Sequence, residues 1–364
     1  MFSCQMKTKL LFLTLDFNYT CGVSKHVFIN LKYLSKNPDY ELYFITNKGD
    51  SIHRLNELSH IKVSFLDFEK DHINIFKLIS NTLSLFKYCK ENKIDIIHTH
   101  HRYVELLAVI VSKFYKVKTL TTVHSFVKGL TKISFHSNKI ITVSNSIKSY
   151  LNNNYPHTRD NSNSLYNCVE EDFFHPLFSN GIVSKSSLGF NENDKVLLFI
   201  GRNSKVKGLD VLISSLQKKS SLINVKLLVV GFDLTINEMI PSANIKFIGT
   251  QKDVRPLMNL CDIVIIPSRE DPFPYVMLEA AAMKKPIIGS KTGGIAEFID
   301  DEINGTLFEN ENIDQLADKI EFAINNIEHI NKLAEKLSLK AKQECNCQSY
   351  FKSLTNIYTS LLSE

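Results

Sequence analysis

Residues 261–288 read CDIVIIPSREDPFPYVMLEAAAMKKPII, and the reading of this stretch decides the fold. A β-branched apolar run gives way to a turn dense in charge and proline, then to a segment of helical length, then to a second apolar run. Strand, loop, helix and strand in that order make a βαβ unit, whose crossover sets the two strands parallel. Pro274 suits the first helical turn, where its missing N–H is no loss. Three carboxylates, Glu270, Asp271 and Glu279, lie in this otherwise apolar setting. Burying a carboxylate is expensive unless something pairs with it or donates hydrogen bonds to it. In open parallel sheets ligands bind beyond the carboxyl ends of the strands, which is where these acids fall. Backbone N–H groups around Phe273, Pro274, Tyr275 and Val276 would face outward there as an anion site. Glu279, about one and a half turns into the helix, can accept hydrogen bonds from vicinal hydroxyls such as those of a ribose.

The same alternation extends outward in both directions. Before residue 170 the apolar runs are KLLFLTL, ELYFIT, IKVSFL, IDIIHTH, KTLTTVH and KIITVS; after it they are KVLLFIG, KLLVVG, NIKFIG, DIVIIPS and PIIGS. Continuous apolar strands with helices between them argue for parallel sheets covered on both faces. Two such series predict two doubly wound α/β domains. The polar, turn-rich segment YNCVEEDFFHPLFSNG separates them. The expected boundaries are therefore 1–170 for a first domain, 171–345 for a second, and 346–364 for a closing helix. That helix carries Tyr350, Leu354, Ile357, Tyr358 and Leu361 at helical spacing and is expected to return to the first domain.

Composition narrows the class. The chain has 364 residues, 44% hydrophobic and 22% charged, an ordinary globular balance. No apolar run approaches the roughly 18–20 residues of a membrane-spanning helix. The opening MFSCQMKTKLLFLTL has a short apolar run without a small-residue cleavage site, and reads as a buried first strand rather than a leader. Seven cysteines are scattered without a CxxC pair, which points to reduced thiols rather than a disulfide framework or a zinc site. The net charge of +5 is uneven: residues 1–170 carry 22 Lys and Arg against 13 Asp and Glu, and the rest carry 21 against 25. A basic first half can meet anionic lipid, phosphorylated acceptors or nucleic acid, or simply be solvated.

Other strand ends carry chemistry of the same kind. Gly22 follows the first strand and opens an amphipathic helix, where a glycine would let backbone N–H groups approach a phosphate. After KVLLFI comes GRNSKVKGLDVLI, whose Arg202 and Lys207 supply a guanidinium fork and an ammonium suited to a diphosphate. Gly293 and Gly294 precede a further helix start bearing Glu297.

In this order and spacing, GRNSKVKG, EDPFPYVMLEAAAMKKPIIGSKTGGIAEFI and NGTLF resemble the donor-binding half of retaining nucleotide-sugar glycosyltransferases, the group-one family of GT-B fold. DIIHTH, TTVH, VSNSIKSYL and NCVEEDFFHP resemble that family's first-domain markers and crossover. The resemblance implies two Rossmann-like domains facing across a cleft. The family motif is two acids separated by seven residues, which pairs Glu279 with Asp271 and leaves Glu270 one position out of register. It implies Asp271 near the donor sugar's hydroxyls, Glu279 on the nucleotide ribose, and Arg202 and Lys207 on the diphosphate. Gly22 matches the glycine-rich first loop, where two glycines are usual and one remains. His124 matches a histidine beside the donor sugar. His98 and His100 end a strand at the same level and resemble metal ligands, but the family uses no metal and no third ligand recurs nearby in the sequence, so structural or acceptor-side roles are expected.

The implied reaction is metal- and cofactor-independent transfer, with retention, from a UDP-sugar or second a GDP-sugar. The implied acceptor is a saccharide or lipid-linked saccharide of capsule or lipopolysaccharide synthesis. Nucleic acid is not expected as a partner. A cytoplasmic protein, peripheral at an anionic membrane through its basic first domain, would fit. The alternatives are an epimerase of the same fold, and a non-catalytic anionic-surface binder with a vestigial cleft.

Overall fold

A computed structural model describes residues 7–58, 60–68, 74–175, 183–232 and 244–364. The chain divides into two compact units: Met1–Leu165 with Phe351–Glu364, and Tyr166–Tyr350.

Unit 1 runs β1 (Thr8–Leu13), α1 (Gly22–Leu34), β2 (Tyr40–Thr46), β3 (Ile61–Phe65), α2 (Ile75–Asn92), β4 (Ile96–Thr99), α3 (Arg102–Ser112), β5 (Lys118–Val123), β6 (Lys139–Thr142), α4 (Asn145–Asn154) and β7 (Ser162–Ser164). Its sheet has the order β3-β2-β1-β4-β5-β6-β7. Every pairing is parallel, as in Leu13 opposite both Ile45 and Thr99. The order reverses between β1 and β4, so the switch point where such sheets bind ligands lies at their carboxyl ends. The strands are buried on both faces: Leu11, Leu13, Ile45 and Ile97 form one core with Leu85 of α2 and Val104 and Leu107 of α3. Helix starts are set by short polar side chains. Asn74 accepts from the N–H groups of Phe76 and Lys77, and Ser144 from that of Ile147. Glu105, the one acid in the basic segment 101–150, is buried on α3. It accepts hydrogen bonds from the N–H groups of Phe135, His136 and Ser137 at 2.8–3.0 Å, which fixes the loop before β6.

Unit 2 runs β8 (Val196–Ile200), α5 (Leu209–Leu216), β9 (Lys226–Val230), β10 (Ile245–Ile248), α6 (Arg255–Leu260), β11 (Ile263–Ile266), α7 (Tyr275–Ala282), β12 (Ile287–Ser290), α8 (Gly293–Phe298), β13 (Thr306–Phe308), α9 (Ile313–Asn325) and α10 (Ile327–Glu344). The last helix, α11 (Cys347–Ser363), passes into unit 1 at Phe351. The six strands are parallel in the order β10-β9-β8-β11-β12-β13, with the reversal between β8 and β11. Leu197, Leu227, Ile263 and Ile288 pack with Leu212 of α5 and Leu316 of α9 in the core.

The division falls at Tyr166, earlier than residue 171, because the segment that follows β7 is tied into unit 2. Tyr166 Oη donates to Glu297 at 2.7 Å, Asn167 Nδ2 to the Phe273 carbonyl at 3.0 Å, and the Cys347 thiol to the Val169 carbonyl at 3.3 Å. The strands β7 and β13 were not legible as strands, being only three residues long.

Candidate functional site

In unit 2 the loops after β8 and β11 meet at the switch point. Residues Lys205–Lys207 make a single 3-10 turn, and Gly208 follows with φ of 71°. A Cβ at Gly208 would lie 1.9 Å from the Pro267 carbonyl oxygen, so only glycine lets the two loops come this close. Arg269 then fastens them. Its backbone N–H donates to the Val206 carbonyl at 2.8 Å, its Nη1 to the Lys205 carbonyl at 2.5 Å, and its two Nη atoms to Asp210 at 2.8 Å each. Its Nε donates to Glu311 at 2.6 Å. The guanidinium holds Asp210 below the usual carboxylate range.

On that frame Lys207 Nζ donates to Asp271 Oδ2 at 2.6 Å, and Ser268 Oγ reaches the same oxygen at 3.3 Å. Asp271 is 4% exposed, whereas Glu270 beside it is exposed. The two adjacent acids therefore stand in different surroundings, and the buried one is paired. Gly294 donates its N–H to the Asp271 carbonyl at 2.9 Å, and a Cβ at Gly294 would sit 2.1 Å from the Pro272 carbonyl oxygen. Gly294 thus allows close packing of the acid-bearing loop on α8.

Pro274 occupies the position before α7, with φ −71° and ψ 134°, one place earlier than the first helical residue. The N-cap residue makes no side-chain hydrogen bond to this helix, so its start can present a backbone N–H such as that of Val276 to an anion. Glu279 lies one turn further along and is 4% exposed. Phe273 is buried, stacked on Tyr166 (4.6 Å between ring centroids, 9° between planes) and edge-on to Phe298. It can meet a ligand only through its backbone. Arg202 is exposed, and among the described residues no hydrogen bond or ion pair engages it. A paired cation, an uncommitted guanidinium, an uncapped helix start and two buried acids suit a diphosphate carrying hydroxylated groups.

In unit 1 Gly22 is the first residue of α1, exposed, and a Cβ there would meet nothing within 4 Å. No steric requirement fixes glycine at this position. His124 follows β5 directly, half-buried, with Nε2 3.2 Å from His100 Nδ1. His98 makes a separate structural contact: its two nitrogens lie 2.8 Å from Tyr358 Oη and 2.8 Å from Thr122 Oγ1. The expectation that no third ligand accompanies the strand-end histidines is corrected by His26 of α1. The ligand atoms of His26, His100 and His124 lie within 4.8 Å of one another. Burial, reinforced by the neighbouring imidazoles, pushes His98, His100 and His124 well below the usual histidine range and keeps them neutral.

Sequence reading missed Arg269, Gly208, Tyr166, Asn167 and His26. Arg269 stands inside the decisive stretch, but next to Glu270 it resembled one more solvated loop charge. The glycine after Lys207 was a readable signal, because a glycine closing a strand-to-helix loop commonly marks a left-handed residue. His26 gave no signal beyond a polar residue on an apolar helix.

Two family descriptions match the chain: "Glycosyltransferase Family 4" over residues 20–173 and "Glycosyl transferases group 1" over residues 183–344. An uncharacterized glycosyltransferase of Methanocaldococcus jannaschii is 27% identical over 350 residues, covering 90% of this chain and 91% of that one. The crystal structure of a glycosyltransferase from Rickettsia africae superposes with a TM-score of 0.83 at 24% identity, over 98% and 99% of the two chains. Anabaena HepE, solved with UDP-glucose, superposes with a TM-score of 0.81 at 18% identity, over 97% and 99%. The two parallel sheets with their covering helices are those of a GT-B glycosyltransferase. Within that class residues 183–344 match the group 1 family.

Proposed function

We propose that the protein transfers a sugar from a nucleoside-diphosphate sugar to a saccharide or lipid-linked saccharide, with retention at the anomeric carbon and without a metal ion or other cofactor. The observation that carries this reading is the Lys207–Asp271 pair at 2.6 Å beside the uncapped start of α7. Lys207, Arg202 and the start of α7 stabilise the charge that develops on the leaving diphosphate as the glycosidic bond breaks. Asp271 receives hydroxyls of the donor sugar and Glu279 those of the ribose. His124 and Gly22 are assigned to the donor by family resemblance. Retention then follows from front-face attack, with the departing phosphate taking the acceptor's proton.

UDP is the favoured nucleotide and GDP the second, the first supported by the UDP-glucose complex of the HepE relative. A role in capsule or lipopolysaccharide synthesis from the cytoplasmic side, at the membrane surface, is supported by two features of unit 1. Its sequence is basic, and α2 exposes Ile75, Phe76, Ile79 and Leu83 close together along the helix. Among the described residues no helix is long and apolar enough to cross a membrane. The test is a thermal-shift screen of UDP-, GDP- and ADP-sugars, followed by transfer assays in excess EDTA with the product's anomeric configuration read by NMR. An EDTA-abolished rate or an inverted product removes the mechanism. Conversion of donor without acceptor would make the protein an epimerase.

A further inference from the structure

We propose that His26, His100 and His124 form a binding site for a divalent transition-metal ion of the zinc type. The three side chains come from α1, from the end of β4 and from the end of β5, converging at the carboxyl edge of the unit 1 sheet beside its topological switch. His100 Nδ1 and His124 Nε2 are 3.2 Å apart. That is close to the edge of a tetrahedron with Zn–N bonds of about 2.0–2.1 Å, which is about 3.3 Å. The third ligand atom, from the buried His26, lies within 4.8 Å of both. The rings are already constrained. Phe12 stacks on His100 at 5.9 Å and 9°, and His98 lies against it at 4.4 Å. His100 Nε2, the ring nitrogen turned away from His124, is buried and has no hydrogen-bond partner among the described residues, so Nδ1 is the nitrogen this ring offers to the cluster.

An all-imidazole donor set selects zinc, copper, nickel or cobalt over magnesium or calcium. Of the three, only His124 is half-buried rather than buried, and a zinc ion held by three protein ligands takes water as its fourth. The inference rests on unit 1 geometry, and it shares His124 with the proposed transfer reaction. That reaction needs no metal, so a cation here would occupy the His124 nitrogen rather than support turnover.

The experiment titrates chelator-stripped full-length protein with Co2+ and follows the visible absorption of tetrahedral cobalt. One equivalent per chain is expected, displaced by Zn2+. The signal should vanish in His26→Gln and His100→Gln and persist in His136→Gln, which alters a separate histidine pair, His136 stacked on His157. Because a buried variant can fail to fold, X-ray absorption on the zinc-loaded wild-type chain gives a second readout, expected to show imidazole nitrogen and no sulfur. Absence of saturable binding, a sulfur shell, or a signal that survives in folded His26→Gln overturns the site.

Discussion

The two units share a doubly wound parallel sheet but furnish its ligand-binding edge with opposite chemistry. Unit 2 gathers full charges there, and the fixed ones are matched, Lys207 with Asp271 and Arg269 with Asp210 and Glu311, while Arg202 is exposed. Unit 1 gathers imidazoles, three of which burial keeps neutral. A buried acid or lysine survives by pairing, whereas a buried histidine survives by shedding its proton. Under the proposed function unit 2 holds an anion against fixed charge, and the proposed metal site in unit 1 offers lone pairs whose availability depends on pH.

The contrast is broken most sharply at Lys207. Lys207→Ala and Asp271→Asn should each lower kcat/KM by about 10²–10³-fold, the usual effect of removing one preorganised charge or donor. Glu270→Gln, at an exposed position, should stay within a few-fold of wild type. Steady-state kinetics on the three variants decide it, and a more damaging Glu270 change would reverse the assignment of the acids. Next in size is Gly208→Ala. The added methyl would meet the Pro267 carbonyl oxygen at a backbone conformation that disfavours any Cβ. A loss of about 2–3 kcal/mol in urea unfolding is expected.

The histidine side of the contrast is sharpened by acid. With EDTA present, the unfolded chain takes up protons near its ordinary histidine pKa of about 6.5, while the folded rings refuse them. Stability should be fully present above that pH and fall as pH drops through 6 toward the depressed folded values. Each such ring contributes up to about 1.4 kcal/mol per pH unit, measurable as denaturation midpoints at pH 7.5 and 5.5. A flat profile would mean that the rings are hydrated. The smallest effect is Tyr358→Phe, which removes the hydroxyl 2.8 Å from His98 Nδ1. A cost of about 1 kcal/mol is expected in the same unfolding assay.

Much of this was legible in the linear sequence where one local period dominates. Apolar runs such as LLFL at β1 and IVII at β11 identified themselves as doubly covered strands. Ser162–Ser164 did not, since three polar residues establish no period. The spacing of Asp271 to Glu279 chose between two adjacent acids on resemblance alone. In the structure Asp271 is the buried one of the two and meets Lys207, whereas Glu270 is exposed. Tyr166 and Asn167 read as linker, yet their side chains are fixed to Glu297 and Phe273, partners more than a hundred residues away.

By itself the sequence determined the α/β class, the two sheets, and the cationic and acidic groups at the ends of β8 and β11, because each is encoded within a few consecutive residues. Only the tertiary structure decided which groups meet: Lys207 with Asp271, Arg269 across two loops, and His26 with His100 and His124. Those pairings depend on parallel strands that bring chain segments far apart in sequence to one edge, and local periodicity carries no record of that convergence.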